Sequence, residues 1–135
     1  ELLKIKVSDV SDRTITLREP KSGKESELAC MPENVLKKVA EYIKDKALQS
    51  DDRPFPISYS TGRALVRRLG ETVNVRISPY DLRRYSATYA SRNGVPLEVV
   101  SKVILRHQDL KTTQVYLGKI NDTEAIRWID ILHAK

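Results

Sequence analysis

Residues 78–94 read SPYDLRRYSATYASRNG, and the reading of this stretch decides the fold. Ser78 followed by Pro79 is a helix start: a serine oxygen can accept an orphan N–H of the first turn, and proline fits there because it has no N–H to lose. Asn93-Gly94 is a helix stop, since both residues tolerate the left-handed backbone that ends many helices. Between these signals Leu82, Tyr85 and Tyr89 recur at helical spacing and form one face, the face expected to pack inward. Tyr42, at a helical position further upstream, is expected to pack in the same way.

The same logic works outward in both directions. Toward the C-terminus, PLEVVSKVIL (96–105) begins at a proline and sets Leu97, Val100 and Ile104 on one side. DLKTTQVYLGK (109–119) reads as a short helix capped by Asp109. DTEAIRWIDILHA (122–134) is amphipathic, with Ala125, Trp128, Ile129 and Leu132 as its apolar stripe. Trp128 is expected in a core or an interface, and His133 exposed at a helix end. Toward the N-terminus, YSTGRALVRRLGETV (59–73) is a helix with Ser60 or Thr61 as a cap, and LQSDDRPFPIS (48–58) is a loop. PENVLKKVAEYIKDKA (32–47) starts a helix at Pro32, with Val35, Leu36, Val39 and Ile43 as its stripe. Only RTITLREPKSGKESELACMP (13–32) breaks the helical period. There Ile15 and Leu17 precede a Pro-Lys-Ser-Gly turn, and Leu28 and Cys30 follow it, which predicts a β-hairpin with Lys21 at its tip. Residues 1–6 read as the last turn of a helix. The sum is mainly α with one small antiparallel sheet near the N-terminus, an α+β class. No βαβ crossover pattern and no internal repeat is seen.

The 135 residues suit a single domain, 1–135, and 40% of them are hydrophobic. No apolar run approaches the length that spans a bilayer, and the opening ELLKIKVSDV lacks a signal-peptide layout. Cys30 is the sole cysteine, so no disulfide can form within the chain; a reducing, cytoplasmic setting is expected. Two histidines and one cysteine offer no zinc-ligand spacing. The formal net charge is +6 and the sequence pI about 9.5, which favours a polyanion as partner, nucleic acid first. The distribution says more than the sum. From Ser60 to Asn93 there are seven arginines (63, 67, 68, 76, 83, 84 and 92), no lysine, and only Glu71 and Asp81 as acids. Arginine forks grip phosphate oxygens in pairs, whereas lysine acts as a point charge.

Four residues suit chemistry on a phosphate: Lys21, Arg83, His107 and Tyr116. A tyrosine hydroxyl can attack phosphorus and leave a covalent phosphotyrosine. Arginine and histidine donors can hold the charge that gathers on the transition-state oxygens, and a lysine on a hairpin can protonate the departing 5′-oxygen. Such a scheme needs no metal and no small-molecule cofactor, because the phosphotyrosine bond stores the energy for rejoining.

The order and spacing of these residues resemble the catalytic domain of the tyrosine recombinases, the integrase family of phage, plasmid and Xer enzymes. That family carries a Pro-His-Asp-Leu-Arg-His-like box, then Leu-Gly-His about two dozen residues later, then a Thr-Thr run leading to the nucleophilic tyrosine. Here the corresponding residues are Pro79-Tyr80-Asp81-Leu82-Arg83-Arg84, then Leu105-Arg106-His107, then Thr112-Thr113-Gln114-Val115-Tyr116, with Tyr116 nine residues after His107. PKSGK resembles the family's Lys-Thr-Gly hairpin turn. The resemblance implies the DNA breaking-rejoining fold and site-specific recombination of double-stranded DNA through a 3′-phosphotyrosine. Tyr116 would be the nucleophile, Arg83 and His107 would stabilise the transition state, and Lys21 would be the general acid. Tyr80, where most members have histidine, would hold the phosphate. Arg106, in place of the family's glycine, implies a different backbone shape there or an extra phosphate contact. Arg63, Arg67, Arg84 and Lys111 are expected to contact DNA, with an ion pair as the alternative for Arg84. The family's first catalytic arginine would lie three residues before Glu1. The resemblance therefore implies a domain truncated at its N-terminus, without the core-binding domain and with impaired activity. It also implies self-association on DNA through 122–135 and association with the nucleoid; the alternative is that this helix folds back onto its own domain, and the free chain is expected to be mainly monomeric. A non-catalytic DNA-binding module and a type IB topoisomerase are the rival readings.

Overall fold

The computed structural model describes residues 1–117 and 121–134, except the side chain of Tyr116. The chain opens with two single 3-10 turns, Leu2–Lys4 and Val7–Asp9, and runs into a three-stranded antiparallel sheet ordered β1-β2-β3: β1 (Val10–Ser11), β2 (Thr14–Arg18) and β3 (Ser26–Cys30). Helices follow: α1 (Glu33–Asp45), α2 (Tyr59–Glu71), α3 (Pro79–Arg92), α4 (Leu97–Val99), α5 (Leu110–Leu117) and α6 (Asp122–His133). α4 continues as a wider π-type turn over Val100–Ile104. The mainly helical class with a small N-terminal sheet holds, and none of the described helices is long and apolar enough to cross a membrane. Two-residue β1 was not legible in the sequence, because a strand that short carries no alternation to detect.

α3 starts where its sequence says it should. Ser78 Oγ accepts from the Asp81 N–H, and the Asp81 carboxylate accepts from the Ser78 N–H at 2.8 Å, a reciprocal cap. The two hydrogen bonds from Ser78, side chain first and backbone second, hold the Asp81 carboxyl below its usual range. The packed face of α3 is not the expected one. Leu82, Tyr85 and Tyr89 are 48%, 68% and 59% exposed, and the two tyrosine rings stack on each other on the surface. The helix instead packs Ala87 and Ala90 against Val100, Leu105 and their half-buried neighbours Val95, Ile104 and Leu117. Small side chains let the backbones come close, so this face wins the core although it is the less apolar one. Tyr42 fares differently: it stacks on Phe55 and donates to Pro54 O at 3.0 Å.

β3 also turns the other way. The register pairs Leu17 with Glu27 and Thr16 with Leu28. Cross-strand partners share a face, so Glu27 goes in beside buried Leu17, while Leu28 and Cys30 face out. At the end of α2, Gly70 is required by space: a Cβ there would lie 2.3 Å from Val75 O, where the chain folds back toward α3. At the base of the sheet, Asp9 is buried. Burial pushes its carboxyl up, but the Lys6 N–H and the Arg18 guanidinium, 2.6 Å away, outweigh it and leave the pKa lowered.

Candidate active site

A cleft of about 550 Å³ opens beneath the β2–β3 hairpin, and Lys21, Arg83 and His107 all line it. Three separate segments supply them. Lys21 rides the turn that follows β2, where Gly23 adopts φ +76° and its N–H closes the turn onto Pro20 O at 3.1 Å. Arg83 comes from the second turn of α3 and donates from Nη2 to Leu105 O. A guanidinium has five N–H donors, so this bond fixes its plane and leaves others for an anion. His107 follows the π-type turn, and its N–H donates back to Ser101 O at 2.8 Å. π-turns displace a helix's register by one residue and recur at functional sites. This one buries Val100, Ser101 and Leu105 together and sends the next residues into the cleft.

The His107 ring is held by a relay that the sequence reading missed. Nδ1 lies 2.9 Å from Thr113 Oγ1, and Thr113 donates to Ser101 Oγ at 2.8 Å. Thr113 and Ser101 are both fully buried. With the threonine proton directed to Ser101, Thr113 accepts from Nδ1–H, and the neutral ring keeps its lone pair on Nε2. Burial, then the nearby Arg83 charge, lowers the His107 pKa and favours that neutral ring. Ser101 could have been noticed as the polar residue inside VVSKVIL. Thr113 belongs to the Thr-Thr run, but only the fold tells which threonine turns inward.

Of the other expected site residues, Tyr80 lies in the first turn of α3, 57% exposed and outside the lining of the cleft. Tyr116 falls on α5, three residues after the threonine that grips His107; its side chain lies outside the described residues. Arg106 lines the cleft, but its guanidinium meets Glu1 at 2.6 Å and Glu27 at 3.2 Å. The expectation of Arg106 as a phosphate contact did not foresee these two carboxylates. Arg63 and Arg67 line a different groove, of about 560 Å³, together with Arg76 between α2 and the start of α3. Arg84 and Lys111 are exposed.

The sequence pattern described as "Phage integrase family" matches residues 1–122. The chain is 32% identical over 124 residues to tyrosine recombinase XerA of Saccharolobus solfataricus, covering 90% of this chain and 41% of that protein. It is 26% identical to tyrosine recombinase XerA of Thermococcus onnurineus, covering 86% of this chain and 44% of that one. It thus spans less than half the length of these relatives. A crystal structure of XerA recombinase superposes on the whole of this chain and 51% of its own, with a TM-score of 0.77 and 26% identity. On that match over most of its length, the chain belongs to the phage integrase family.

Proposed function

We propose that these residues form the catalytic domain of a longer site-specific DNA recombinase that works through a 3′-phosphotyrosine. The observation that carries this reading is the meeting of Lys21, Arg83 and His107 in one cleft from positions up to 86 residues apart in sequence. The first catalytic arginine and a core-binding domain would be supplied upstream of Glu1, in keeping with the share of the relatives that the chain spans.

In this reaction the Tyr116 oxygen attacks a backbone phosphorus of double-stranded DNA. A bond forms between that oxygen and phosphorus, and the bond from phosphorus to the 5′-oxygen breaks. The tyrosine proton passes to His107 Nε2, which the Thr113–Ser101 relay leaves as the acceptor. Arg83 donates to the nonbridging oxygens as charge builds on them. Lys21 protonates the departing 5′-oxygen. Rejoining reverses these steps with a 5′-hydroxyl from a second strand. Tyr80 adds a hydrogen-bond donor to the phosphate once DNA is seated, and Arg63, Arg67, Arg84 and Lys111 hold the flanking backbone.

Self-association on DNA belongs to the same reading. Trp128 of α6 packs against Gly94, where an added Cβ would come within 3.2 Å of the ring, and Arg92 faces Glu124 at 3.5 Å. The helix is therefore anchored to its own domain, yet Ile126, Ile129 and Leu132 stay 62%, 56% and 73% exposed. Exposed side chains of this size favour a partner surface, here a second copy on the paired site. Removing residues 120–135 is expected to spare single-site binding and abolish the paired-site complex on a native gel; normal pairing would contradict this.

The test of the reaction is a suicide DNA substrate, nicked beside the cleavage point and mixed with the full natural protein. The wild type is expected to trap a covalent 3′-phosphate adduct, and Tyr116→Phe none. An adduct that persists in the variant would move the nucleophile elsewhere.

A further inference from the structure

Arg106 is the residue of the cleft whose backbone and side chain pull in different directions. Its φ is +54°, the left-handed region that suits glycine and strains a residue with a side chain. The arginine is nevertheless there, and its guanidinium sits between two acids. Nη2 donates to Glu1 Oε2 at 2.6 Å and Nη1 to Glu27 Oε2 at 3.2 Å. The Arg106 and Glu27 side chains are only 16% and 12% exposed, so solvent screens them weakly. Glu1 reaches further: its Oε1 accepts from the N–H of Lys21 at 3.2 Å. One guanidinium thus links the strand behind the hairpin, the residue that holds the hairpin tip, and the loop that continues into His107.

Charge gives the arrangement its purpose. Glu1 and Glu27 both line the cleft. Two unpaired carboxylates there would repel a phosphate a few ångströms away. Arg106 meets both, and Lys24 Nζ lies 3.7 Å from the other Glu27 oxygen. Burial raises the Glu1 carboxyl, but the bond from Arg106, followed by that from the Lys21 N–H, overcomes it and keeps the group ionised.

We propose that Arg106 is a positioning residue of the phosphate site: it cancels the charge of Glu1 and Glu27 and ties the Lys21 hairpin to the His107 loop. The proposal rests on the reading of the cleft as a site for a DNA phosphate. It assigns the arginine to the acids that line the site, while Arg83 meets the phosphate, Lys21 the departing oxygen and His107 the tyrosine proton.

The test begins with Arg106→Gly in the full natural protein, because glycine relaxes the strained φ and a lost activity cannot then be laid to backbone strain. Single-turnover cleavage of the nicked substrate at saturating DNA is expected to fall about 10- to 100-fold in a protein that stays folded at the assay temperature. Adding Glu27→Gln to Arg106→Gly is expected to restore at least half of that loss on a logarithmic scale, and Arg106→Lys to lie between wild type and Arg106→Gly. A brace that mattered only for packing would not be rescued by removing a second partner. Cleavage at the wild-type rate in Arg106→Gly, or a double variant no faster than the single one, would overturn the proposal. If the wild type itself forms no adduct, the recombinase reading falls, and Arg106 is then judged on inorganic phosphate binding followed by the His107 ring signals. Affinity about tenfold weaker in Arg106→Gly and regained with Glu27→Gln supports the proposal. Unchanged affinity overturns it.

Discussion

The cleft beneath the hairpin and the groove between α2 and α3 are of similar size, about 550 and 560 Å³, and arginine lines both. They differ in what surrounds the arginine. In the cleft, Arg83 is fixed to Leu105 O, Arg106 is held by two acids, and the His107 ring is pinned by a buried hydroxyl relay. In the groove, Arg63 and Arg76 form no ion pair among the described residues, Arg67 meets Glu71 at 3.5 Å, and Asp81 is spent on the helix cap. Chemistry on a phosphate demands donors placed before the reaction starts, which takes partners and burial. Grip on a polyanion demands only positive charge that water and counterions can leave. On the proposed reading, the difference separates a place for reaction from a place for hold.

The largest effect expected inside the cleft is that of Arg83→Ala. Cleavage should fall about 100- to 1000-fold, the usual loss for a transition-state donor, with DNA affinity changed far less. Equal losses in rate and affinity would make Arg83 an ordinary anchor and dissolve the contrast between the clefts. Lys21→Ala should also cleave slowly, but a 5′-phosphorothiolate at the scissile bond leaves without needing a proton. That substrate is expected to restore Lys21→Ala and not Arg83→Ala. Rescue of Lys24→Ala instead would shift the acid role along the turn. A smaller effect, about tenfold, is expected for Thr113→Val, which removes the partner of His107 Nδ1. Because burial and Arg83 lower the His107 pKa, the neutral ring persists as pH falls past the ordinary histidine value of about 6.5. The acid limb of the wild-type cleavage profile should therefore lie below that value. A limb above it would mean that the ring is charged when it works.

Much of the helical architecture was legible because its signals are local. Ser78-Pro79, Asn93-Gly94 and Asp109 each mark a helix end through a hydrogen bond or a φ value set within a few residues. Lys21, Arg83 and His107 were legible for another reason, their order and spacing within a resembled family, and the fold brings them to one cleft. What escaped the sequence depends on distant pairing. The outward turn of Tyr85 and Tyr89 follows from Ala87 and Ala90 fitting closer to Val100 and Leu105 than large rings could. The inward turn of Glu27 follows from its register with Leu17, and a hydrophobic alternation cannot announce an inward-facing acid that pairs with an arginine 79 residues away. The Ser101–Thr113 relay needs the π-type turn, which no periodicity in VVSKVIL reveals.

The division between reaction and hold is tested most directly by measuring Arg83→Ala and Arg63→Ala on the same DNA. Two quantities are needed for each: the single-turnover cleavage rate at saturating DNA, and the dissociation constant across a salt series. Arg63→Ala is expected to cleave at close to the wild-type rate, to bind more weakly, and to lose about one unit of salt slope, as befits one phosphate contact. Arg83→Ala is expected to keep most of its affinity and to cleave about 100- to 1000-fold more slowly. The reverse pattern, with Arg63→Ala crippled in rate and Arg83→Ala only in binding, would contradict the assignment of the chemistry to the cleft of Lys21, Arg83 and His107.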